Sequence, residues 1–307
     1  MKKSYVGIDF GGTYIKGGVI NERGEMLNFD QIPTESEKGV NSVIERLVAF
    51  IKHLSGGEDI VGIGLGIPGL IDSGEGEVVI SGNIKWERVK IVDELKKYFT
   101  CPIKIQNDAN VAAYGECRFG VGKRYNDCVF LTLGTGVGSG IIINGKIFCG
   151  NRSAGAEIGH MVIHPGGEPC SCGNRGCFET YTSATALKRE TIKAINNNPQ
   201  TKMREVPFEE IGGKTAFLYA KEDDCAKRIV DKYVEDLAIG IVNVANIFRP
   251  EAIILGGGVS REGENLLAPL RKKLSERIFA KGLGPQVEIL CSTLKNAGVY
   301  GAAALNM

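Results

Sequence analysis

SYVGIDFGGTYIKGGVI, residues 4–20, and CVFLTLGTGVGSGIII, residues 128–143, carry the pattern that decides the fold. In each, an apolar run long enough for one buried strand meets a glycine-rich turn and continues into a second apolar run. Residues 4–10 read as a strand ending in Gly11-Gly12-Thr13, residues 14–20 as the next, and a turn at Asn21 to Gly24 returns a third over 26–32. In the second stretch Leu133-Gly134-Thr135-Gly136 stands where Asp9-Phe10-Gly11-Gly12-Thr13 stood, and Asn144-Gly145 makes the hairpin turn. The two stretches are read as equivalent positions in two duplicated halves.

Outward from these meanders, strands alternate with helices. Val40, Val43, Ile44, Leu47, Val48 and Ile51 follow helical spacing, which predicts an amphipathic helix over 40–54 ending near Gly56-Gly57. Ile60 to Ile67 is a buried strand closed by Pro68-Gly69. A polar loop with Asn83 and Trp86 follows, then a helix near 89–99, a short strand at 103–106 and a helix opening at Asn107-Asp108-Ala109-Asn110. Beyond the second meander come helical segments over 183–196 and 217–225, and a long apolar helix over 229–248 that stops before Arg249-Pro250. A strand with a glycine turn over 252–259, a helix over 262–279, a strand over 287–290 and a small-residue helix over 298–305 complete the chain. Residues 197–216 carry no clear pattern. The alternation implies an α/β protein of two similar lobes, with a ligand at the carboxyl ends of the strands.

Composition narrows the class. The 307 residues exceed one typical domain, 43% are apolar, and the net charge is only +1. With no block of like charge, a nucleic-acid or membrane-surface role lacks its electrostatic footprint. No signal core opens the chain and no apolar run reaches membrane length, so a cytoplasmic protein is expected. Six of the nine cysteines are dispersed and read as buried thiols in a reducing compartment.

The other three fall in EIGHMVIHPGGEPCSCGNRGCFE, residues 157–179. His160, Cys170, Cys172 and Cys177 form a Cys3His set on a glycine- and proline-rich loop, which suits tetrahedral zinc with no position left for water. Such a site is structural. The alternative is free core thiols beside a solvated histidine. Glu157 and Glu179 bracket the loop and, with His160, could present polar groups to a polyhydroxylated ligand.

Three glycine turns follow strands: Gly11-Gly12-Thr13, Gly134-Thr135-Gly136 and Gly256-Gly257-Gly258. Backbone N–H groups there can hold phosphate oxygens, and three together argue for a bound nucleotide, although each alone is compatible with plain hairpin geometry. There is no Walker A lysine motif and no full dinucleotide fingerprint. Asp9, beside the first turn, could hold Mg2+ directly or through water. Asp108 precedes a helix, where it could accept the proton of an attacking hydroxyl with Asn107 orienting the acceptor, or serve only as the helix N-cap.

Taken together, D-F-G-G-T-x-x-K at 9–16, G-I-P-G at 66–69, N-D-A-N at 107–110, L-G-T-G-V-G-S-G at 133–140, A-E-I-G-H at 156–160, C-x-C-G-x-x-G-C-x-E at 170–179, G-G-G-V at 256–259 and A-G-V-Y-G-A-A at 297–303 resemble the ROK family of sugar kinases over almost the whole chain. The resemblance implies a two-lobed, duplicated actin-like ATPase (ribonuclease H-like) α/β fold with a structural zinc loop. Residues 1–119 would form the small lobe, with the C-terminal helix of 292–307 packing back on it, and residues 120–291 the large lobe. It implies ATP, Mg2+ and Zn2+ as cofactors, and Asp108 as the base that takes a proton from a sugar hydroxyl attacking the γ-phosphate. Asn83, Asn107, Asp108, Glu157, His160 and Glu179 would hold the sugar. Asp9, Gly11, Gly12, Thr13, Lys16, Gly134, Thr135, Gly136, Gly256, Gly257 and Gly258 would serve the nucleotide and its metal, and His160, Cys170, Cys172 and Cys177 the zinc.

The implied reaction is phosphorylation of a hexose at its 6-hydroxyl, glucose foremost, in a homodimer or tetramer. N-acetylmannosamine, fructose, allose and N-acetylglucosamine are alternative substrates. The family also holds repressors with an amino-terminal helix-turn-helix, for which no room is expected before the strand at residue 5, and a sensor that binds sugar without chemistry is the remaining class. Three departures stand out. Ala156 replaces a frequent glycine and Phe178 a leucine, both expected to touch only local packing, while Ile84-Lys85-Trp86 departs from Leu-Pro-Gly-Trp near a possible sugar edge.

Overall fold

The computed structural model describes residues 3–307 and is an α/β structure. The first meander is β1 (Ser4–Phe10), β2 (Tyr14–Asn21) and β3 (Met26–Pro33), followed by α1 (Val40–Ser55) and β4 (Ile60–Ile67). Then come β5 (Leu70–Asp72), β6 (Glu77–Ser81), β7 (Trp86–Val89), α2 (Ile91–Lys96), β8 (Ile103–Asn107) and α3 (Asp108–Phe119). The second meander is β9 (Cys128–Leu133), β10 (Val137–Ile143) and β11 (Lys146–Phe148). After the cysteine loop the chain forms α4 (Glu179–Thr182), α5 (Ala184–Asn197), α6 (Thr215–Tyr219), α7 (Asp224–Phe248), β12 (Ala252–Gly256), α8 (Glu264–Arg277), β13 (Glu288–Cys291) and α9 (Ala297–Ala304).

Two five-stranded sheets repeat one order: β3-β2-β1-β4-β8 and β11-β10-β9-β12-β13. In the first, β1, β2 and β3 pair antiparallel, and β4 and β8 extend the sheet in parallel. In the second, β10 and β11 pair antiparallel and β12 and β13 in parallel. A strand order repeated position for position in mixed sheets is what duplication of the glycine-turn meander requires.

By density of contacts the chain divides into two units, one of the chain through Cys128 with Gly140–Ala156 and Thr293–Met307, the other of Val129–Ser139 and Glu157–Ser292. In the first unit, α1 buries Val43, Leu47, Phe50, Ile51 and Leu54 in a core with Val6, Ile8, Phe10, Ile63 and Leu65 from the sheet. On α9, small residues permit backbone-to-backbone packing. A Cβ at Gly64 of β4 would overlap the carbonyl of Ala302, and one at Gly301 would overlap that of Val111 on α3. Glycine is required at both places by space rather than by dihedral angle. In the second unit α7 runs 25 residues and buries Tyr233, Leu237, Ile241 and Val244.

Four sequence expectations change. The polar loop around Trp86 is a small antiparallel sheet, β5-β6-β7. Trp86 is 2% exposed and packs against Phe10 at 5.3 Å between ring centroids. The helical segment over 217–225 is two pieces, because Asp223 caps α7: one carboxylate oxygen accepts from the N–H groups of Cys225 and Ala226 at 2.7 and 3.1 Å. This lengthens α7 beyond the expected start at 229. The last strand before a glycine turn ends at Gly256, since Gly257 sits at φ +83°. No helix among the described residues is long and apolar enough to cross a membrane.

Candidate functional site

In the first unit the candidate residues gather where β1 and β8 end and β2 begins. Asp9 is the penultimate residue of β1 and lies across from Lys16 of β2 and Gly66 of β4. The following turn is held by Gly11 N–H donating to Tyr14 O at 2.9 Å and by the Thr34 hydroxyl donating to Gly11 O at 2.6 Å. That leaves Gly12 and Thr13 exposed. Asn83 lies beside them: a Cβ at Gly12 would rest 3.6 Å from its carbonyl oxygen. A larger side chain at residue 12 would begin to fill this space.

Asp108 opens α3 without capping it. The cap is Asn107, whose Oδ1 accepts from Ala109 and Asn110 N–H at 2.9 and 3.3 Å, while its Nδ2 donates to Gly69 O at 3.1 Å. The N-cap reading of Asp108 is therefore set aside. Asp108 keeps one hydrogen bond of its own, Oδ1 accepting from Ala109 N–H at 2.9 Å.

Both carboxylates are enclosed enough to resist ionisation. Burial pushes the Asp9 carboxyl up to about 6; Lys16 opposes this, and the nearby charge of Asp108 adds to it. Burial likewise raises Asp108, against the hydrogen bond from Ala109 N–H. Gly298, in the first turn of α9, completes the enclosure, since a Cβ there would lie 2.7 Å from Asp9 Cγ. Two carboxylates whose charge is resisted by burial, beside an exposed glycine turn, fit a cation that accompanies phosphates.

In the second unit, Gly134 N–H donates to Gly136 O at 3.0 Å and the Thr185 hydroxyl donates to Thr135 O at 2.7 Å, which leaves Thr135 itself exposed. Glu179 reaches this turn: Val137 N–H donates to its Oε2 at 2.9 Å. The carboxylate read as a sugar ligand thus also ties the end of the cysteine loop to the second glycine turn, using one of its oxygens. The third turn packs Gly257 against the backbone of Leu133, and Gly258 faces open space.

His160, Cys170, Cys172 and Cys177 converge, with one ligand atom from each lying within 4.8 Å of the others. Cys170 Sγ is 3.6 Å from His160 Nδ1, and Cys172 Sγ is 3.7 Å from Cys177 Sγ. Zinc–sulfur bonds of about 2.3 Å give tetrahedral edges of about 3.8 Å. The donor set and its spacing fit one zinc ion, with His160 Nδ1 as the fourth ligand and its Nε2 left for another partner.

Two features escaped the sequence. Ala156, just before Glu157, has φ +70°, a conformation that costs any residue with a Cβ roughly 1–2 kcal/mol. Its replacement of glycine therefore strains the backbone at the entry to the loop, a larger effect than the local packing expected. Behind the loop, the buried Asp236 of α7 lies 2.7 Å from His164 Nε2 and 2.7 Å from Lys232 Nζ. His164 and Asp236 are 72 residues apart, and nothing in the sequence pairs them.

The Asp9 shift fixes a pH dependence. A carboxyl raised from 3.8 to about 6 contributes stability that is fully present below pH 3.8 and lost as pH rises through about 6. Asp9→Asn is expected to match the wild type near pH 4 and to exceed it by about 2–3 kcal/mol at pH 7 to 8. Denaturant unfolding of both forms across that range checks it, and a variant less stable than wild type at pH 7 would contradict it.

Comparison with known proteins agrees with this geometry. The ROK family profile matches residues 5–307. A glucokinase of Thermotoga maritima is 37% identical over 99% of this chain and 97% of its own length. A xylose repressor of Bacillus spizizenii is 32% identical over 98% of this chain but 76% of its own length. A ROK family glucokinase from Streptomyces griseus, solved with glucose and AMPPNP, superposes with a TM-score of 0.82 at 33% identity, covering 98% of each chain. The same turns, enclosed carboxylates and cysteine loop that organise the two units are thus carried on a chain that belongs to the ROK family.

Proposed function

We propose that this chain is an ATP-dependent hexose kinase that phosphorylates glucose at the 6-hydroxyl, with Asp108 as general base. The observation that carries the reading is the state of Asp108: a carboxylate at a helix start, relieved of capping by Asn107 and raised in pKa by burial. A base whose pKa is moved toward the working pH is suited to accept a hydroxyl proton in the transition state. Asp108 would take the proton of the 6-hydroxyl as that oxygen forms its bond to the γ-phosphorus and the bond from phosphorus to the departing ADP oxygen breaks. Full-length similarity to glucokinases supports glucose as the acceptor.

The remaining roles are proposed from the family resemblance. By family resemblance, Asn83, Asn107, Glu157, His160 and Glu179 are proposed to hold the sugar hydroxyls. Thr13 and the N–H groups of Gly12, together with Thr135 and Gly136, would hold phosphate oxygens, Lys16 adding charge and Gly256 to Gly258 lying toward the base. Mg2+ would be held by Asp9, and when bound it neutralises phosphate charge. Zinc would be held by His160, Cys170, Cys172 and Cys177 and would order the segment between Glu157 and Glu179. The repeated sheet order supports the duplicated actin-like ATPase fold. A homodimer or tetramer is the assembly proposed by family resemblance, and nine unpaired cysteines fit a cytoplasmic setting.

Two variants test the reading. Asp108→Asn is expected to hold glucose within a few-fold of wild-type affinity while kcat falls by roughly 10^2 to 10^4; near-normal turnover would remove Asp108 from the role. Cys172→Ala is expected to lose the tightly held zinc, seen by metal analysis, and to weaken glucose binding. Unchanged glucose affinity with zinc verified absent would separate the metal from the sugar site.

A further inference from the structure

The second unit contains a cavity of about 350 Å3 that none of the proposed catalytic, sugar, nucleotide or metal residues line. It lies along α5 and α7, with Tyr181 of α4 and Glu168 of the cysteine loop completing its wall. Its size falls at the lower end of the range for small-molecule sites.

The lining has two characters. Leu187, Ala194 and Ile229 give it an apolar side, and Tyr233 closes it with its hydroxyl already donated to Thr182 O at 2.8 Å. Four cations and three carboxylates line the rest. Arg189 is engaged by Glu190 at 3.1 Å and Lys232 by Asp236 at 2.7 Å. Lys193 of α5 and Arg228 of α7 form no ion pair among the described residues. Two uncommitted cations from different helices, set beside an apolar wall, present a recognition surface for a charged head on a compact body.

We propose that this cavity binds a small organic anion, bearing a phosphate or carboxylate on a compact apolar body, and that its occupancy tightens sugar binding through the cysteine loop. The connection is physical. The Tyr181 hydroxyl accepts from Glu168 N–H at 2.7 Å, the Tyr181 ring meets His164 at 4.5 Å between centroids, and Lys232 lies 5.4 Å over the same ring. His164 and Lys232 converge on the buried Asp236. An anion drawn in by Arg228 and Lys193 acts on the loop through Tyr181, whose hydroxyl holds Glu168 N–H, and so restrains both sides of it: Glu168 lies two residues before Cys170, and Tyr181 two after Glu179.

Calorimetry on the zinc-loaded protein without ATP tests the site, with phenyl phosphate, benzoate and inorganic phosphate as probes. An organic anion is expected to bind, inorganic phosphate more weakly for want of an apolar body, and the exposed double variant Lys193→Glu/Arg228→Glu to lose that binding by about tenfold or more. Absence of binding by all three at millimolar concentration, or binding undiminished in the variant, overturns the site. Saturation with the anion is expected to tighten glucose several-fold, and glucose to tighten the anion by the same factor. Unchanged glucose affinity overturns the link. Only the link rests on the sugar-kinase reading, whereas anion binding is measured with no sugar present, so the two failures are distinguishable.

Discussion

The first unit depends on how closely α9 approaches its neighbours. Its small residues lie backbone to backbone against β1, β4 and α3, and the approach is possible only because Gly7, Gly64, Gly115 and Gly301 carry no side chain. Closeness of this kind leaves no slack, because interiors are packed to the density of crystals and a single added carbon must displace main chain. Asp9 is next to last in β1 and Asp108 begins α3, two of the elements that α9 touches. The main-chain positions from which the two carboxylates extend are thus set by this packing. A general base needs that kind of rigid support, since small misplacements cost large factors in rate.

That rigidity is used against local stability. Burial holds Asp9 and Asp108 where ionisation is resisted, and Ala156 sits in a left-handed conformation at the threshold of the cysteine loop. Each of these is unfavourable in itself and persists because the surrounding packing determines it. In the second unit the compensating contacts are specific: Glu179 accepts from Val137 N–H, and Asp236 gathers His164 and Lys232 behind the loop. The loop is fastened at the glycine turn and on α7, and His160 lies with its Nδ1 3.6 Å from Cys170 Sγ in the candidate zinc set.

Much of this was legible in the sequence. The two glycine-turn meanders gave the duplicated strand order, and the spacing of Val43, Leu47 and Ile51 gave α1, because period and turn chemistry are local properties. The Cys3His set was equally plain, since its ligands lie within eighteen residues of one another. What escaped depends on distant partners or on single dihedrals. The β5-β6-β7 sheet has strands of three to five residues with charged positions, too short for a period, and what marks it is Trp86 packing on Phe10. Asp223 belongs to a cap whose other partners, Thr201 and Lys202, lie more than twenty residues away. Asn107 and Asp108 are adjacent, and either could have capped α3 by residue type alone; only the geometry assigns the cap to Asn107.

The central claim, sugar phosphorylation at the 6-hydroxyl with glucose as acceptor, is tested most directly by ADP release with Mg-ATP across glucose, N-acetylmannosamine, N-acetylglucosamine, fructose and allose, compared by kcat/KM. A clear preference for glucose, with glucose 6-phosphate as product, is the result this account predicts. Silence on every sugar with zinc bound, or a preference for an amino sugar, would contradict it.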